Sequence, residues 1–487
     1  MSAQKMSQIE GLILSRQQYE TAQGVDLILW LATKHGACRV LLSRQRYVFL
    51  IQQQDLQQAQ QLWSAKNIVA QKIKALTLKS FNGQSVAAIY SLNYRQNSSL
   101  QDALSNANIA VFEADIKISD RYLMERFIYG SVCVKGEISW QGSYWQCFDA
   151  RLSPSNETLS LKYVSLDVEC SPQGQLYSVG LSYADPAEVS VDKYGTVLMI
   201  GEAQQSPGIN IQWLQDEQAL LVALQQWFIE HDPDVVIGWA VASFDMRLLT
   251  KRAEQHNMQL KIGRDGTALR WLPHSNEPEQ GSVILNGRVV LDGIEQLKNA
   301  SWQFESFSLE FVSQAMFSEG KLITNEHNKG LEIKRQFEQD PVSLARYNLQ
   351  DCVLVERIFH KAQLIEYALQ RARLTGLALD RRGASVAAFT NLYLPLLHRS
   401  GYIAPNIGDI EAQHSPGGFV MDSAPGLYSW VLVLDFKSLY PSIIRTFKID
   451  PMGMIEGLKE PQSESIPGFR EARFSRSKHH LPGILDK

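Results

Sequence analysis

Three observations in the sequence predict an α/β fold, α+β over the whole chain. Residues 9–115 alternate short β-rich runs with turns. From about residue 160 three strands are followed by helix, strand and helix, the order expected of a mixed sheet with helices packed on it. Pro341 then opens a long helical pattern that Gly376 closes.

In the first region Leu12–Ser15, Val25–Ala32, Arg39–Leu42 and Tyr47–Ile51 read as strands. Asp55–Ala65 reads as a helix with Leu56, Ala59 and Leu62 or Trp63 inward, its glutamines forming the solvated face. Asp120–Phe127 reads as a compact amphipathic helix. Strands near Val132–Glu137 and Tyr144–Arg151 close the region, and Ser153-Pro-Ser-Asn156 reads as a boundary loop. Tyr163–Glu169, Leu176–Tyr183 and Val197–Gly201 are the next three strands. Glu217–His231 is a helix, Val235–Trp239 a short apolar strand and Asp245–His256 a second helix. The run Val431–Leu434 is continuously apolar, as in a strand buried on both faces, and it ends at Asp435.

At 487 residues the chain is too long for one core, and about three domains are expected. A hydrophobic share of 45% against 20% charged suits globular domains and excludes a disordered chain. The net charge of −4 argues against a histone-like binder, although an acidic site could offset a local basic groove. Five scattered cysteines without a Cys-x-x-Cys pair disfavour a zinc site or disulfide framework and fit a reducing cytoplasm. No run of about 18 apolar residues suggests a membrane span, and the N-terminus lacks a signal-peptide core.

The chemistry centres on carboxylates. In Tyr163-Val-Ser-Leu-Asp-Val-Glu-Cys170 a strand sends Val164, Leu166 and Val168 to one face and Tyr163, Ser165, Asp167 and Glu169 to the other. Two neighbouring carboxylates repel unless a cation lies between them, and a hard divalent ion suits oxygen ligands. Taken alone, the pair reads more simply as a solvated strand edge. Asp245 likewise reads as a helix N-cap. Tyr347 and Asp351 lie one helical turn apart, and read alone they are a core phenol and a solvated acid.

Together these residues resemble something more specific. Asp167, Glu169, Asp245 and Asp351, with Tyr347, match in order and context the Tyr subtype of the DEDD 3′–5′ exonucleases. Asp435-Phe-Lys-Ser-Leu-Tyr-Pro-Ser-Ile-Ile444 resembles the first palm motif of family B DNA polymerases. Arg121–Phe127, Gly287–Asp292, Ser306–Glu310, Leu379–Ala388 and Ser415–Val420 add to the likeness, which covers nearly the whole chain. The chain is thus identified as similar to the N-terminal part of that family.

The resemblance implies a β-rich N-terminal domain over residues 1–157, completed by about 377–400. It implies a ribonuclease-H-like exonuclease domain over 158–376 and the truncated start of a palm over 401–487. Two Mg2+ or Mn2+ ions, roughly 3.5–4 Å apart in such sites, would be held by the four exonuclease carboxylates. Asp167 would bridge both, Glu169 and Asp351 would complete one site, Asp245 would serve the other, and Tyr347 would position water. Asp435 would hold polymerase metals, and Ser438, Leu439 and Tyr440 would meet the nucleotide, with Tyr440 excluding a ribose 2′-hydroxyl. Phe244, Gly417 and Gly418 would contact DNA, while Asp292 would serve the fold. The implied partners are a single-stranded 3′ end, primer-template DNA and deoxynucleoside triphosphates, with a sliding clamp engaged beyond residue 487. No membrane is implied, and the expected location is the bacterial cytoplasm. The fingers and second palm motifs would also lie beyond residue 487, so the chain is expected not to polymerise alone.

Two departures from the family touch the strand rather than the metals. Cys170 stands where the family has Thr, and Ala240 where it has Asn. Both family residues are thought to hold the 3′ end, so weakened editing is expected. The rival readings are a catalytically silent DNA-binding scaffold, against which the intact carboxylates argue, and a stand-alone nuclease, against which the palm motif argues.

Overall fold

The computed structural model describes residues 5–183, 195–318, 329–383, 385–409 and 421–480. The chain forms two compact units. One comprises residues 1–19, 26–43 and 126–388, the other 20–25, 44–125 and 389–487.

The first unit contains two six-stranded sheets. In the N-terminal sheet, the strands Lys5–Thr21, Gly24–Thr33, Gly36–Gln45, Trp145–Phe148 and Ser131–Trp140 follow one another. The pairing of the first with the last closes the sheet on itself. Lys5–Thr21 is far longer than the expected Leu12–Ser15. Its polar ends are largely exposed, and only the middle supplies the apolar run that marks a strand in sequence. Arg151–Pro154 pairs with Val132–Lys135 at an edge, so the expected boundary loop begins as a strand. Pro154 is tolerated there because an edge strand need not donate from every residue.

The second sheet has the order Asn210–Leu214, Gly195–Ile200, Leu176–Ser182, Tyr163–Cys170, Val235–Gly238, Val289–Asp292. Leu176–Ser182 runs antiparallel to both neighbours, while Tyr163–Cys170, Val235–Gly238 and Val289–Asp292 are mutually parallel. One face packs Val164, Leu166, Val168 and Val236 against Leu220, Leu224 and Phe228 of helix Glu217–His231 and Met246 and Leu249 of helix Asp245–Gln255. The other packs Val235, Ile237, Val289 and Leu291 against Leu354, Val355, Ile358 and Phe359 of helix Pro341–Lys361. Helices therefore cover both faces of a mixed sheet, the predicted α/β arrangement. The strand Asn210–Leu214 and the hairpin Arg270–Pro273/Gly281–Ile284 were not expected from the sequence.

Asp340 caps the long helix through Ser343 N–H at 3.1 Å, and Pro341 occupies its first turn. The helical pattern expected to reach Arg373 is broken instead. Gln363, at φ 50°, separates Pro341–Lys361 from Leu364–Thr375, and Gly376, at φ 68°, ends the second helix. Apolar periodicity continues across the break because both helices cover one core, so sequence spacing alone does not reveal it.

In the second unit a four-stranded sheet orders Lys72–Lys79, Ser85–Ser91, Tyr47–Gln52 and Val111–Phe112. Helix Leu56–Ala65 buries Ala59 and Trp63 beside Leu100, Ala103 and Leu104 of helix Tyr94–Ser105. The expected Asp120–Phe127 helix lies earlier, at Ile118–Met124, and Phe127 turns to φ 55°.

Glu113 fastens this unit. It is 1% exposed and accepts from His398 Nε2 at 2.8 Å, Arg121 Nη1 at 3.0 Å and Ala404 N–H at 3.0 Å. Burial alone would raise its pKa, but the His398 hydrogen bond and the His398 and Arg121 charges outweigh that and hold it below the usual carboxylate range. The depressed pKa means the contribution is present above about pH 4.5 and disappears as pH falls through the folded-state value. Glu113→Gln is therefore expected to destabilise the second unit by roughly 3 kcal/mol at pH 7, with the deficit shrinking below pH 4.5. Urea denaturation of both proteins at the two pH values measures it.

Candidate active site

Tyr163–Cys170 is not an edge. It is paired on both sides, and its carboxylate face is covered by helix Pro341–Lys361. Ser165 and Glu169 are consequently buried and Asp167 is half-buried. The covering helix delivers Asp351 to that face, where one carboxylate oxygen each from Asp167, Glu169 and Asp351 lies within 4.8 Å of the others. Three acidic groups that close, two of them buried, hold negative charge together at a cost of several kcal/mol unless a cation or protons balance it.

Asp245 stands beside this group without being an N-cap. Phe244 occupies the cap position, and Asp245 takes the first helical turn. Its Oδ1 accepts from Val168 N–H at 2.8 Å, and its Oδ2 is buried with no hydrogen-bond partner. Burial, then the Asp167 charge, push the Asp245 pKa well above the usual carboxylate range.

Tyr347 is only 1% exposed, enclosed by Tyr177, Val197, Met199, Ile333 and Leu344, and its phenol donates to Asp351 one turn along the helix. Burial first, then the Asp351, Glu169 and Asp167 charges, raise its pKa steeply, so the phenol stays protonated. It can donate a hydrogen bond and cannot serve as a base.

The stretch before Asp245 is a tight turn. Gly238 begins it, because a Cβ there would meet Leu166 O at 2.7 Å. Ala240 adopts φ 55°, and its carbonyl accepts from Ser243 and Phe244 N–H. Ala242 is held from both sides, its N–H reaching Asp292 Oδ2 at 3.4 Å and its carbonyl accepting from Trp271 Nε1 at 2.8 Å. Asp292 also caps helix Gly293–Asn299, a role in the fold as expected. Phe244 is 50% exposed. Cys170 follows a register shift in the strand. Burial, then the Glu169, Asp245 and Asp167 charges, push its thiol up to about 11, so it stays a neutral, weak donor.

Sequence reasoning missed Asn348. Its Nδ2 donates to Asp167 Oδ2 at 2.7 Å and to Asp167 O at 3.2 Å, and its Oδ1 accepts from Ser178 Oγ at 3.0 Å. The available signal was an amide on the inward face of an amphipathic helix, one residue from Tyr347. Two turns on, Glu356 is also buried and accepts from Ser182 Oγ at 2.8 Å.

The second constellation is not assembled among the described residues. Val431–Leu434 forms no strand and is 70–90% exposed, and Asp435 is exposed as well. A strand buried on both faces needs flanking strands, and no described residue pairs with this run. After Asp435 the backbone turns at Ser438, at φ 54°, into helix Leu439–Phe447. Leu439 is 45% exposed and Tyr440 79%. Gly417 and Gly418 lie outside the described residues.

Comparison with known proteins adds three family matches. The DNA polymerase family B exonuclease domain matches residues 109–312, DNA polymerase family B matches 378–479, and the DNA polymerase II N-terminal region matches 11–46. Among curated relatives, DNA polymerase II of Escherichia coli K12 is 42% identical over 480 residues, covering 98% of this chain and 60% of that protein. A DNA polymerase of Pyrococcus glycovorans is 26% identical over 366 residues, covering 71% and 41%. The chain therefore spans about three fifths of the length of the Escherichia coli protein. The family B DNA polymerase structure from Pyrobaculum calidifontis shares the fold, with a TM-score of 0.74 at 18% identity over 98% of this chain and 62% of that one.

Burial raises the Glu356 pKa to about 7, against a smaller lowering by Ser182. A raised carboxyl pKa means the folded state binds the extra proton between about pH 4.5 and 7, so stability falls as pH rises through that window. The loss is at most roughly 3 kcal/mol. Glu356→Gln is expected to match the original chain near pH 4 and to exceed it in stability at pH 8, as read from melting temperatures across that range.

Proposed function

This chain belongs to the family B DNA polymerases, and from that membership we propose that its first unit carries a metal-dependent 3′–5′ exonuclease acting on DNA. The carrying observation is the convergence of Asp167, Glu169 and Asp351 oxygens within 4.8 Å. The unpartnered, buried Oδ2 of Asp245 adds to it. The donor set is all carboxylate oxygen, which fits Mg2+ or Mn2+ rather than a soft ion. In this reading Asp167, Glu169, Asp245 and Asp351 hold two such ions, which supply charge neutralisation at the attacking and leaving oxygens of the phosphodiester.

The chain's own residues do the rest. Tyr347, locked in the protonated state, orients by donation rather than by taking a proton. Phe244 offers an exposed ring on which an unpaired 3′ base can stack. Selectivity for a mismatch then follows from fraying, since an unpaired terminus costs less to lift out of the duplex. Residues 158–376 form the exonuclease domain in this reading, residues 1–157 with 377–400 the N-terminal domain, and residues 401–487 the first part of a palm. Asp435, Ser438, Leu439 and Tyr440 belong to a polymerase site that takes deoxynucleoside triphosphates on primer-template DNA, Gly417 and Gly418 contact that DNA, and a sliding clamp engages elsewhere in the complete protein. The five free cysteines support work in a reducing cytoplasm. Among the described residues no helix is long and apolar enough to cross a membrane.

Asp167→Ala is expected to cut Mg2+-dependent digestion of a single-stranded oligonucleotide on the order of 10³-fold, the equivalent of several kcal/mol of charge stabilisation. Absence of Mg2+-dependent digestion by the unaltered chain would instead favour the silent scaffold. At Ala240 two effects combine, because Asn accepts the left-handed backbone more readily than Ala and adds a polar side chain. Ala240→Asn should gain roughly 0.5–1 kcal/mol of stability and raise single-strand digestion several-fold. Increased stability without faster digestion would confine Asn to a backbone role.

A further inference from the structure

Asp167 is the most exposed member of the cluster, so its carboxylate orientation needs an explicit restraint. A single amide supplies one. Asn348, 0% exposed, places one Nδ2 against both the carbonyl and the carboxylate of Asp167, at 3.2 and 2.7 Å. The amide cannot flip without facing its oxygen to an ionised carboxylate, which only accepts. Ser178, also 0% exposed, fixes the other end by donating to Asn348 Oδ1.

The sheet register makes room for this arrangement. Asp167 is paired with Gly180 and Glu169 with Ser178, so the residue beside Asp167 on the neighbouring strand has no side chain. A Cβ on Gly180 would lie 3.0 Å from Asn348 Cγ and Oδ1 and from Cys352 Sγ. Two separate positions, Ser178 and Gly180, thus serve one amide. The chemistry is selective too. A lysine or arginine there would neutralise Asp167 and compete with a cation, whereas a neutral amide engages one acceptor site and leaves the charge intact.

We propose that Asn348 is a positioning residue of the carboxylate centre, holding Asp167 in its ion-binding orientation with Ser178 as its support and Gly180 as its clearance. The proposal rests on the exonuclease reading above. It is tested on the full 487-residue chain by Mn2+ titration followed by electron paramagnetic resonance, alongside steady-state digestion of a single-stranded oligonucleotide. Partners that orient metal ligands typically carry 10- to 100-fold in affinity or activity. Asn348→Ala and the better-filling Asn348→Leu should therefore weaken Mn2+ binding about 10-fold or more and lower kcat similarly. KM for the oligonucleotide should stay unchanged, because Asn348 is buried away from the strand. Ser178→Ala should shift both quantities the same way by a smaller factor. Unchanged Mn2+ affinity and kcat in Asn348→Leu would overturn the proposal while leaving the metal reading intact. If the Asn348 variants fail to fold, Ser178→Ala decides, and no change in it overturns the proposal. Mn2+ binding by the unaltered chain that survives Asp167→Ala would overturn the metal reading itself, and this inference with it.

Discussion

The repulsion among carboxylates brought to one face of Tyr163–Cys170 is the constraint that the rest of the first unit accommodates. The same unit shows how partly and fully buried acids are handled when their charge is balanced by cations. Asp232 and Asp234 meet Arg264, with Nε and Nη2 both at 2.8 Å, and Arg288 also reaches Asp232 at 2.8 Å. Burial would raise the Asp232 pKa, but the two arginines overcome that and hold it low. Asp245 goes the other way, raised by burial and by Asp167. The donors that reach the cluster from Val168, Asn348 and Tyr347 are neutral. They orient the oxygens without cancelling the charge, which is what a cation site requires and what a purely structural acid pair does not.

Much of that unit was legible because its elements obey simple periodicities. Glu217–His231 has the bounds expected from its apolar spacing, and Val164, Leu166 and Val168 point into the core as alternation requires. Resemblance named Asp167, Glu169, Asp245 and Asp351 in order, and oxygens of the first, second and fourth converge within 4.8 Å. What pattern could not convey was context. A strand edge and a central strand under a helix have the same alternation, so the burial of Glu169 and Ser165 was invisible. Asn348 carries no signature of its own, since its meaning depends on Ser178 and Gly180, some 170 residues earlier. Val431–Leu434 shows the reverse failure, where an apolar run states a need for partners without supplying them.

The division into two units is not written in linker composition. The chain passes between its two units after residues 19, 25, 43, 125 and 388. Several of these crossings fall inside regular elements, such as Lys5–Thr21 and Gly36–Gln45. Linker composition marks a boundary only where a chain leaves a domain for good. Strands along which the chain passes from one unit to the other carry ordinary strand composition throughout.

Neither departure from the family pattern, Ala240 or Cys170, belongs to the set of oxygens that converge on the strand. Ala240 keeps φ 55°, a backbone state that suits the family's Asn better than Ala. Local bonds impose it, from Ser243 and Phe244 to the Ala240 carbonyl, with Trp271 and Asp292 clamping Ala242. The turn that delivers Asp245 therefore does not depend on the side chain at position 240. Cys170, past the register shift that follows Glu169, is likewise outside the set of oxygens that converge. A polar group can be lost from either position without moving a carboxylate. The turn is built from backbone hydrogen bonds and the carboxylate face from side chains on a strand and a helix, so under the proposed exonuclease reading the carboxylates and the contacts to a 3′ end can vary independently.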